Sequence, residues 1–302
     1  MKKMLVTGGA GFIGHHIVRA LLERGDEVHC VDSFVGGRDE KRLDSRAQYH
    51  EIDIRDTDAL AALCAGVDTV FHTAAIPRVQ YCHEHPAETT DFNVRGTVSV
   101  LEAATQARAR RVVYSSSGAV YGDDQDLPLS ENRAVTPSHS YGLQKYAGEQ
   151  FVSAWPKSYA LETVSLRYFN VYGPGIDPKG PYALAVGAFL LARTEGRPIT
   201  IFGDGTITRD YVHVSDVARA NLNAGESPLV GKGEVINVGT GRSIRIKELA
   251  ELFGGEIVFA APRIEPHDSR ADNSRARALL GWQPTIPLEE GIAALKKEWG
   301  LS

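Results

Sequence analysis

A chain of 302 residues can bury a sizeable core and hold one large domain or two lobes. Its charges nearly balance, 33 Lys plus Arg against 38 Asp plus Glu for a net -5, and no basic tail or cluster marks a nucleic-acid surface. Three cysteines without paired spacing argue against a disulfide framework or a zinc site, and no apolar run approaches the length of about twenty residues that crosses a bilayer.

The first apolar run, Met4 to Val6, reads as a buried strand that starts almost at Met1, so neither a signal peptide nor a membrane partner is expected and a cytoplasmic location is. It breaks into glycines and resumes with helical spacing at Ile13, Ile17 and Leu21. In that turn Gly8 can make the tight bend, Gly11 leaves room for a diphosphate against backbone, and Gly14 lets helix and strand pack closely. The free N–H groups of the helix start would face the phosphates. Asp32 ends the next run, Val28 to Val31, where its carboxylate can accept both hydroxyls of an adenosine ribose and repel a 2′-phosphate. The expected cofactor is therefore NAD rather than NADP.

Gln48 to Ile52 reads as a third strand and Asp56 as the cap of a helix carrying Leu60 and Leu63. Asp53, next to Ile54 just past a strand end, either accepts the adenine amine or holds a turn. Val67 to His72 is a fourth strand, and the small residues Thr73, Ala74 and Ala75 permit close approach to a flat ligand. A long helix pattern spans Thr90 to Ala107, with Asn93 at its start either reaching toward the cofactor or capping the helix. Arg111 to Tyr114 is a fifth strand running into Ser115-Ser116-Ser117-Gly118, followed by a helix from Tyr141 to Trp155 and a strand from Leu161 to Arg167. This alternation is the mark of an α/β fold, a mostly parallel sheet with helices on both faces.

Beyond Asn170 the texture changes, with three prolines and three glycines between residues 171 and 181. A smaller mixed α/β lobe is expected from 171–210 and 241–302, beside a Rossmann-type domain of 1–170. Segments of about 211–240 return to that domain: Tyr211 to Val214 and Val235 to Val238 are expected to rejoin its sheet. A final helix, Leu288 to Trp299, presents Ile292 and Leu295 on one side.

Tyr141 and Lys145 lie four residues apart, on one face of a helix. A phenol is a poor base near its free pKa of about 10, and a neighbouring ammonium and a cationic nicotinamide both favour phenolate. Ser117, at the carboxyl end of the fifth strand, can hydrogen-bond beside the same reacting oxygen.

Together Thr7-Gly8-Gly9-Ala10-Gly11-Phe12-Ile13-Gly14, Ser115-Ser116-Ser117, Tyr141-Gly142-Leu143-Gln144-Lys145 and Arg167-Tyr168-Phe169-Asn170-Val171-Tyr172-Gly173-Pro174 resemble the extended short-chain dehydrogenase/reductase family. Within it the chain looks most like the nucleotide-sugar epimerases, typified by UDP-glucose 4-epimerase, over nearly its whole length. The resemblance implies an NAD-dependent C4 epimerase of a UDP-hexose or relative, working through a transient 4-keto sugar. It assigns Tyr141 as the base for the sugar 4-hydroxyl, Lys145 as the holder of the nicotinamide ribose, and Ser117 with Ser116 as the groups orienting the 4-oxygen. Asn170, Arg209 and, ahead of Ser269-Arg270-Ala271-Asp272, Arg263 would meet the sugar diphosphate, where a guanidinium suits better than an ammonium. Phe12, Ile13, Ile54, Ala74 and Asn93 complete the expected cofactor contacts. It also implies a two-fold homodimer built from the helices Thr90–Ala107 and Tyr141–Trp155, which carry Val100 and Phe151.

The departures are informative. Related dehydratases place an Asp-Glu pair after the serine or threonine, and this chain has Gly118-Ala119, which argues against dehydration. His139-Ser140 stands where a proline is usual before the tyrosine, and Gly175 where many relatives have arginine. A nucleotide-sugar reductase or decarboxylating dehydrogenase would use the same scaffold, and a non-catalytic NAD sensor is the remaining alternative.

Overall fold

Each early strand is followed by a helical stretch, and a helix between two strands returns the chain so that they pair in parallel. The computed structural model describes residues 1–123, 126–180, 184–262 and 268–301. Its first half contains β1 (Lys3–Thr7), α1 (Gly14–Glu23), β2 (Glu27–Asp32), β3 (Gln48–Glu51), α2 (Thr57–Cys64), β4 (Thr69–His72), α3 (Val79–Glu84), α4 (Pro86–Thr90), α5 (Gly96–Gln106), β5 (Arg111–Ser117) and α6 (Ser140–Ala154). There follow β6 (Glu162–Tyr168), β7 (Asn170–Tyr172), α7 (Leu184–Thr194), β8 (Ile199–Phe202), β9 (Thr208–His213), α8 (Val214–Glu226), β10 (Lys232–Val238), β11 (Ser243–Arg245), α9 (Ile246–Phe253), β12 (Ile257–Ala260), α10 (Ser274–Leu280) and α11 (Leu288–Glu298).

Seven strands form the main sheet in the order β10-β6-β5-β4-β1-β2-β3, every pair parallel. Side chains alternate across it as the pleat requires. Met4 and Val6 pack with Ile17 and Leu21 of α1 and Val217 of α8 on one face, while Leu5 packs with Leu60 of α2 and Leu101 of α5 on the other. Ile17, Leu21 and Leu101 are fully buried, each contributing about 1.5–3 kcal/mol of transfer free energy. The strand order reverses between β1 and β4, so their carboxyl ends open a crevice where a ligand can lie between two diverging loops.

Three expectations are corrected. Val235 to Val238 lies in β10 and joins the main sheet beside β6, but Tyr211 to Val214 does not. Tyr211, Val212 and His213 end β9, which pairs with β7 and β11 in a separate three-stranded sheet, and Val214 already starts α8. An apolar run tells that a strand is buried, not which sheet buries it. The helix read as Thr90 to Ala107 is broken by a π-helical turn, Asp91–Arg95, that separates α4 from α5. Val100 does not face outward, being buried under the main sheet, whereas Phe151 and Leu143 of α6 are exposed. α11 buries Ile292 and Leu295 as their spacing predicts. No helix among the described residues is long and apolar enough to cross a membrane.

Candidate active site

The crevice is a cleft of about 1290 Å³. It is lined on one side by Gly8, Gly11, Phe12, Ile13 and Gly14 after β1, Asp32 at the end of β2, Ile54 after β3 and Ala74 after β4. On the other side lie Ser116, Ser117, Tyr141, Lys145, Asn170 and Arg209. Residues far apart in the chain meet here because β1 to β5 of the main sheet end at one edge, where α6 and the starts of β7 and β9 face them.

The glycine turn has the geometry its spacing demands. Gly8 sits at φ +70, and a Cβ there would lie 2.7 Å from the Ala74 nitrogen. At Gly14 a Cβ would fall 2.0 Å from the Gly8 carbonyl oxygen, so only glycine lets α1 start this close to β1. Asp32 accepts from the Ala10 N–H at 3.1 Å and from the Phe34 N–H at 2.9 Å, which ties the carboxylate to the glycine loop and leaves further lone pairs for donors in the cleft. Burial raises its pKa, and the two N–H groups oppose that rise. A backbone cradle at a helix start with a carboxylate at the next strand end fits a dinucleotide: diphosphate on the turn, ribose hydroxyls on Asp32.

Two residues read as cofactor contacts are placed differently. Asp53 does not line the cleft; its carboxylate pairs with Arg55 at 2.6 Å. Asn93 is 2 % exposed and also off the cleft surface. Its Oδ1 accepts from the Ile76 N–H at 2.7 Å, and its Nδ2 donates to the Ile76 carbonyl at 3.0 Å and to Gln144 Oε1 at 2.7 Å. Gln144 in turn donates to Thr89 Oγ1 at 2.8 Å. Asn93 thus holds the 73–78 segment, which does line the cleft, against the helix that carries Tyr141.

α6 lays Tyr141 and Lys145 along one face. Lys145 is 3 % exposed; its ammonium donates to the Ser115 carbonyl at 2.9 Å and stands 4.9 Å above the Tyr114 ring. Burial lowers its pKa to about 7. His72, with Nδ1 2.7 Å from Thr7 Oγ1 and Nε2 3.0 Å from Thr97 Oγ1, is held neutral by burial, its pKa lowered to about 3. Ser117 Oγ accepts from the Ala119 N–H at 3.1 Å, which leaves the hydroxyl proton for a group in the cleft. Ser116 differs. Its hydroxyl donates to Glu149 Oε2 at 2.8 Å, and Glu149, wholly buried, is gripped by Arg167 through two bonds of 2.9 and 2.6 Å.

Across the cleft Asn170 donates to the Asp210 carbonyl at 3.0 Å, and Arg209 donates to the Thr208 carbonyl at 2.9 Å. Arg263 lies outside the described residues. Sequence reading missed Asp210. Its buried carboxylate accepts from the Thr240 N–H at 2.8 Å, the Gly241 N–H at 2.9 Å and the Ala271 N–H at 3.0 Å, gathering two loops behind Arg209. No local signal marks it, because all its partners are remote in sequence. Glu149 was findable, since it continues the four-residue spacing of Tyr141 and Lys145.

The chain matches the NAD dependent epimerase/dehydratase family over residues 4–239. It is 39% identical over 304 residues to UDP-glucose 4-epimerase of Mycolicibacterium smegmatis, covering 96% of each chain. Among solved structures it superposes with TM-score 0.91 and 35% identity on UDP-glucose 4-epimerase of Thermotoga maritima with UDP-glucose, covering 98% of this chain and 99% of that one. With the NAD complex of UDP-glucose 4-epimerase from Thermus thermophilus the TM-score is 0.89 at 32% identity, covering 99% of both chains.

Proposed function

The chain belongs to the NAD dependent epimerase/dehydratase family, and from that premise we propose that it interconverts C4 epimers of a UDP-hexose through a transient 4-keto sugar. Its cofactor is NAD and its substrate a nucleotide sugar. The observation that carries the reading is the convergence of Ser117, Tyr141 and Lys145 with the glycine turn and Arg209 on one cleft.

NAD, when bound, supplies a nicotinamide that accepts and returns a hydride. The chain's own residues do the rest. Tyr141 removes the 4-hydroxyl proton and later returns it to the 4-oxygen of the opposite epimer, so no proton or electron is gained or lost overall. Ser117 donates its free hydroxyl proton to the 4-oxygen, stabilising the charge that develops there. Lys145 holds the nicotinamide ribose, and its charge favours the Tyr141 phenolate. Ser116 has its proton committed to Glu149, so it meets substrate as an acceptor. Asn170, Arg209 and Arg263 hold the sugar diphosphate while the ring turns. Gly8, Gly11, Phe12, Ile13, Gly14, Asp32, Ile54 and Ala74 contact NAD directly; Asn93 acts through the Ile76 segment, and Asp53 lies outside the contact surface. In this reading 1–170 with β10 is the cofactor lobe, and 171–210 with 241–302 binds the nucleotide sugar. The protein is cytoplasmic and forms a homodimer through α5 and α6, where Leu143 and Phe151 are exposed; a monomeric mass at micromolar concentration refutes that assembly.

The deciding experiment incubates the purified protein with UDP-hexoses, UDP-N-acetylhexosamines, UDP-uronic acids and their deoxythymidine and GDP counterparts, and follows C4 epimers. Epimer formation without added NAD, from protein that retains the cofactor on desalting, supports the reading. Turnover only with a stoichiometric supply of dinucleotide indicates a reductase or dehydrogenase instead.

A further inference from the structure

The helix that carries Tyr141 begins with an unusual cap. His139, in extended backbone, accepts the Gly142 N–H at 3.1 Å on its ring nitrogen Nδ1, in the place where a serine or aspartate oxygen ordinarily stands. An accepting Nδ1 requires a neutral ring with its proton on Nε2. The ring lies parallel to the Tyr141 ring, centroids 6.3 Å apart. There is little slack around this first turn. A Cβ on Gly142 would fall 2.7 Å from the carbonyl oxygen of Ala119, in the turn that follows Ser117. Any shift of the cap therefore changes how Tyr141 sits relative to Ser117.

We propose that His139 is a positioning residue for Tyr141, its neutral imidazole closing the first turn of the catalytic helix and its protonation releasing it. A proton on Nδ1 abolishes the acceptor and adds a positive charge at the helix N-terminus, where the backbone dipole already presents positive charge. Among the described residues, the influences on the charge of the ring are few. Burial opposes the cation and Asp123 favours it, with the net effect that the pKa is lowered from 6.5; the Tyr141 ring lies parallel beside it. The cap is intact at pH 7 to 8 and opens as pH falls well below 6.5. A serine at this position supplies a cap that does not titrate in this range. α8 carries a second histidine cap, His213 Nδ1 accepting the Ser215 N–H at 3.2 Å, but His213 lies off the cleft surface and serves as the comparison.

The inference rests on Tyr141 as the base, and its test has one arm that needs no substrate. kcat and KM of wild type, His139→Ala and His139→Ser are measured between pH 8 and 5 with the nucleotide sugar that is turned over. At pH 8 His139→Ala lowers kcat about fivefold with KM within about twofold, the scale of one lost cap acting on the chemical step, and His139→Ser restores most of it. Toward pH 5 His139→Ser overtakes wild type. In thermal melts the Tm of His139→Ser relative to wild type rises from pH 8 to 5. His213→Ser shifts the melts in the same sense and leaves the pH dependence of kcat unchanged. Parallel acid limbs in wild type and His139→Ser, or full kcat in His139→Ala, overturn the proposal. A Tm difference independent of pH overturns it even if no nucleotide sugar is turned over, an outcome that by itself would strike only the functional reading.

Discussion

At the scale of single residues, the site exchanges stability for chemistry at Lys145. An ammonium buried with one carbonyl and one aromatic face, and no ion pair, loses hydration that nothing wholly replaces. Its pKa of about 7, against 10.5 for an exposed lysine, expresses that loss. Lys145→Met is expected to raise the stability of the ligand-free protein by about 1–3 kcal/mol in urea denaturation at pH 7, and to lower kcat at least ~100-fold. Tyr141→Phe shares the loss of turnover but leaves stability and NAD binding near wild type; near-normal turnover would remove Tyr141 from its role. Asp32 governs the other end of the cleft. Asp32→Asn removes the repulsion of a 2′-phosphate without supplying a cation, so NAD weakens and NADP gains only in relative terms. Adding Ser33→Arg provides donors for the phosphate and completes the switch. Titration of cofactor-free protein with both dinucleotides checks this, and equal affinity of the unaltered chain for the two would refute it.

At the scale of elements, α6 is the part on which the geometry depends. Its outer face carries Leu143 and Phe151, and its inner face is pinned by polar contacts rather than by apolar packing alone. Glu149 bonds Ser116 of β5 and Arg167 of β6, so one carboxylate fixes the helix to both strands. Removing one partner of a buried pair leaves the other charge uncompensated, at a cost of about 3–5 kcal/mol. Glu149→Ala is expected to lose that much in urea denaturation. Glu149→Gln, which keeps an acceptor for Ser116, should lose less, and equal losses in the two variants would show that the retained acceptor is immaterial. The Gln144–Asn93 bridge performs the corresponding task toward the 73–78 segment. The π-helical turn at Asp91–Arg95 accompanies this bridge, Asn93 being one of its residues.

For the whole molecule, acid sensitivity follows from histidines folded in the neutral form. Burial lowers His15 and His72 to about 3 and His16 to about 4, from 6.5 in the unfolded chain. Below 6.5 the unfolded chain takes up protons that the folded one refuses, so stability is full above that value and falls steadily toward pH 4. Each group contributes up to ~1.4 kcal/mol per pH unit, and a loss of about 2–4 kcal/mol is expected between pH 7.5 and 5.5 in urea denaturation. A flat profile over that interval would contradict the neutral burial of these rings.

What the sequence determined by itself was whatever rests on local spacing. The glycine turn, Asp32 at the end of β2, the shared face of Tyr141 and Lys145 and the alternation of strand and helix are all set by neighbours within a few residues, where sterics and periodicity act directly. Tertiary structure decided the rest. β9 and β10 are equally apolar runs, and only the partners available at each edge send β10 to the main sheet and β9 to the smaller one. Val100 and Phe151 read alike, yet one is buried under the sheet and the other is exposed, because burial depends on what a helix meets and not on its own composition. Asn93 was expected to face a ligand or cap a helix, and its amide instead spans to Ile76 and Gln144. Asp210 on β9 gathers two loops that lie thirty or more residues further along the chain. Such roles are carried by hydrogen bonds across long sequence separations, and no periodicity encodes a contact whose partner lies on another element.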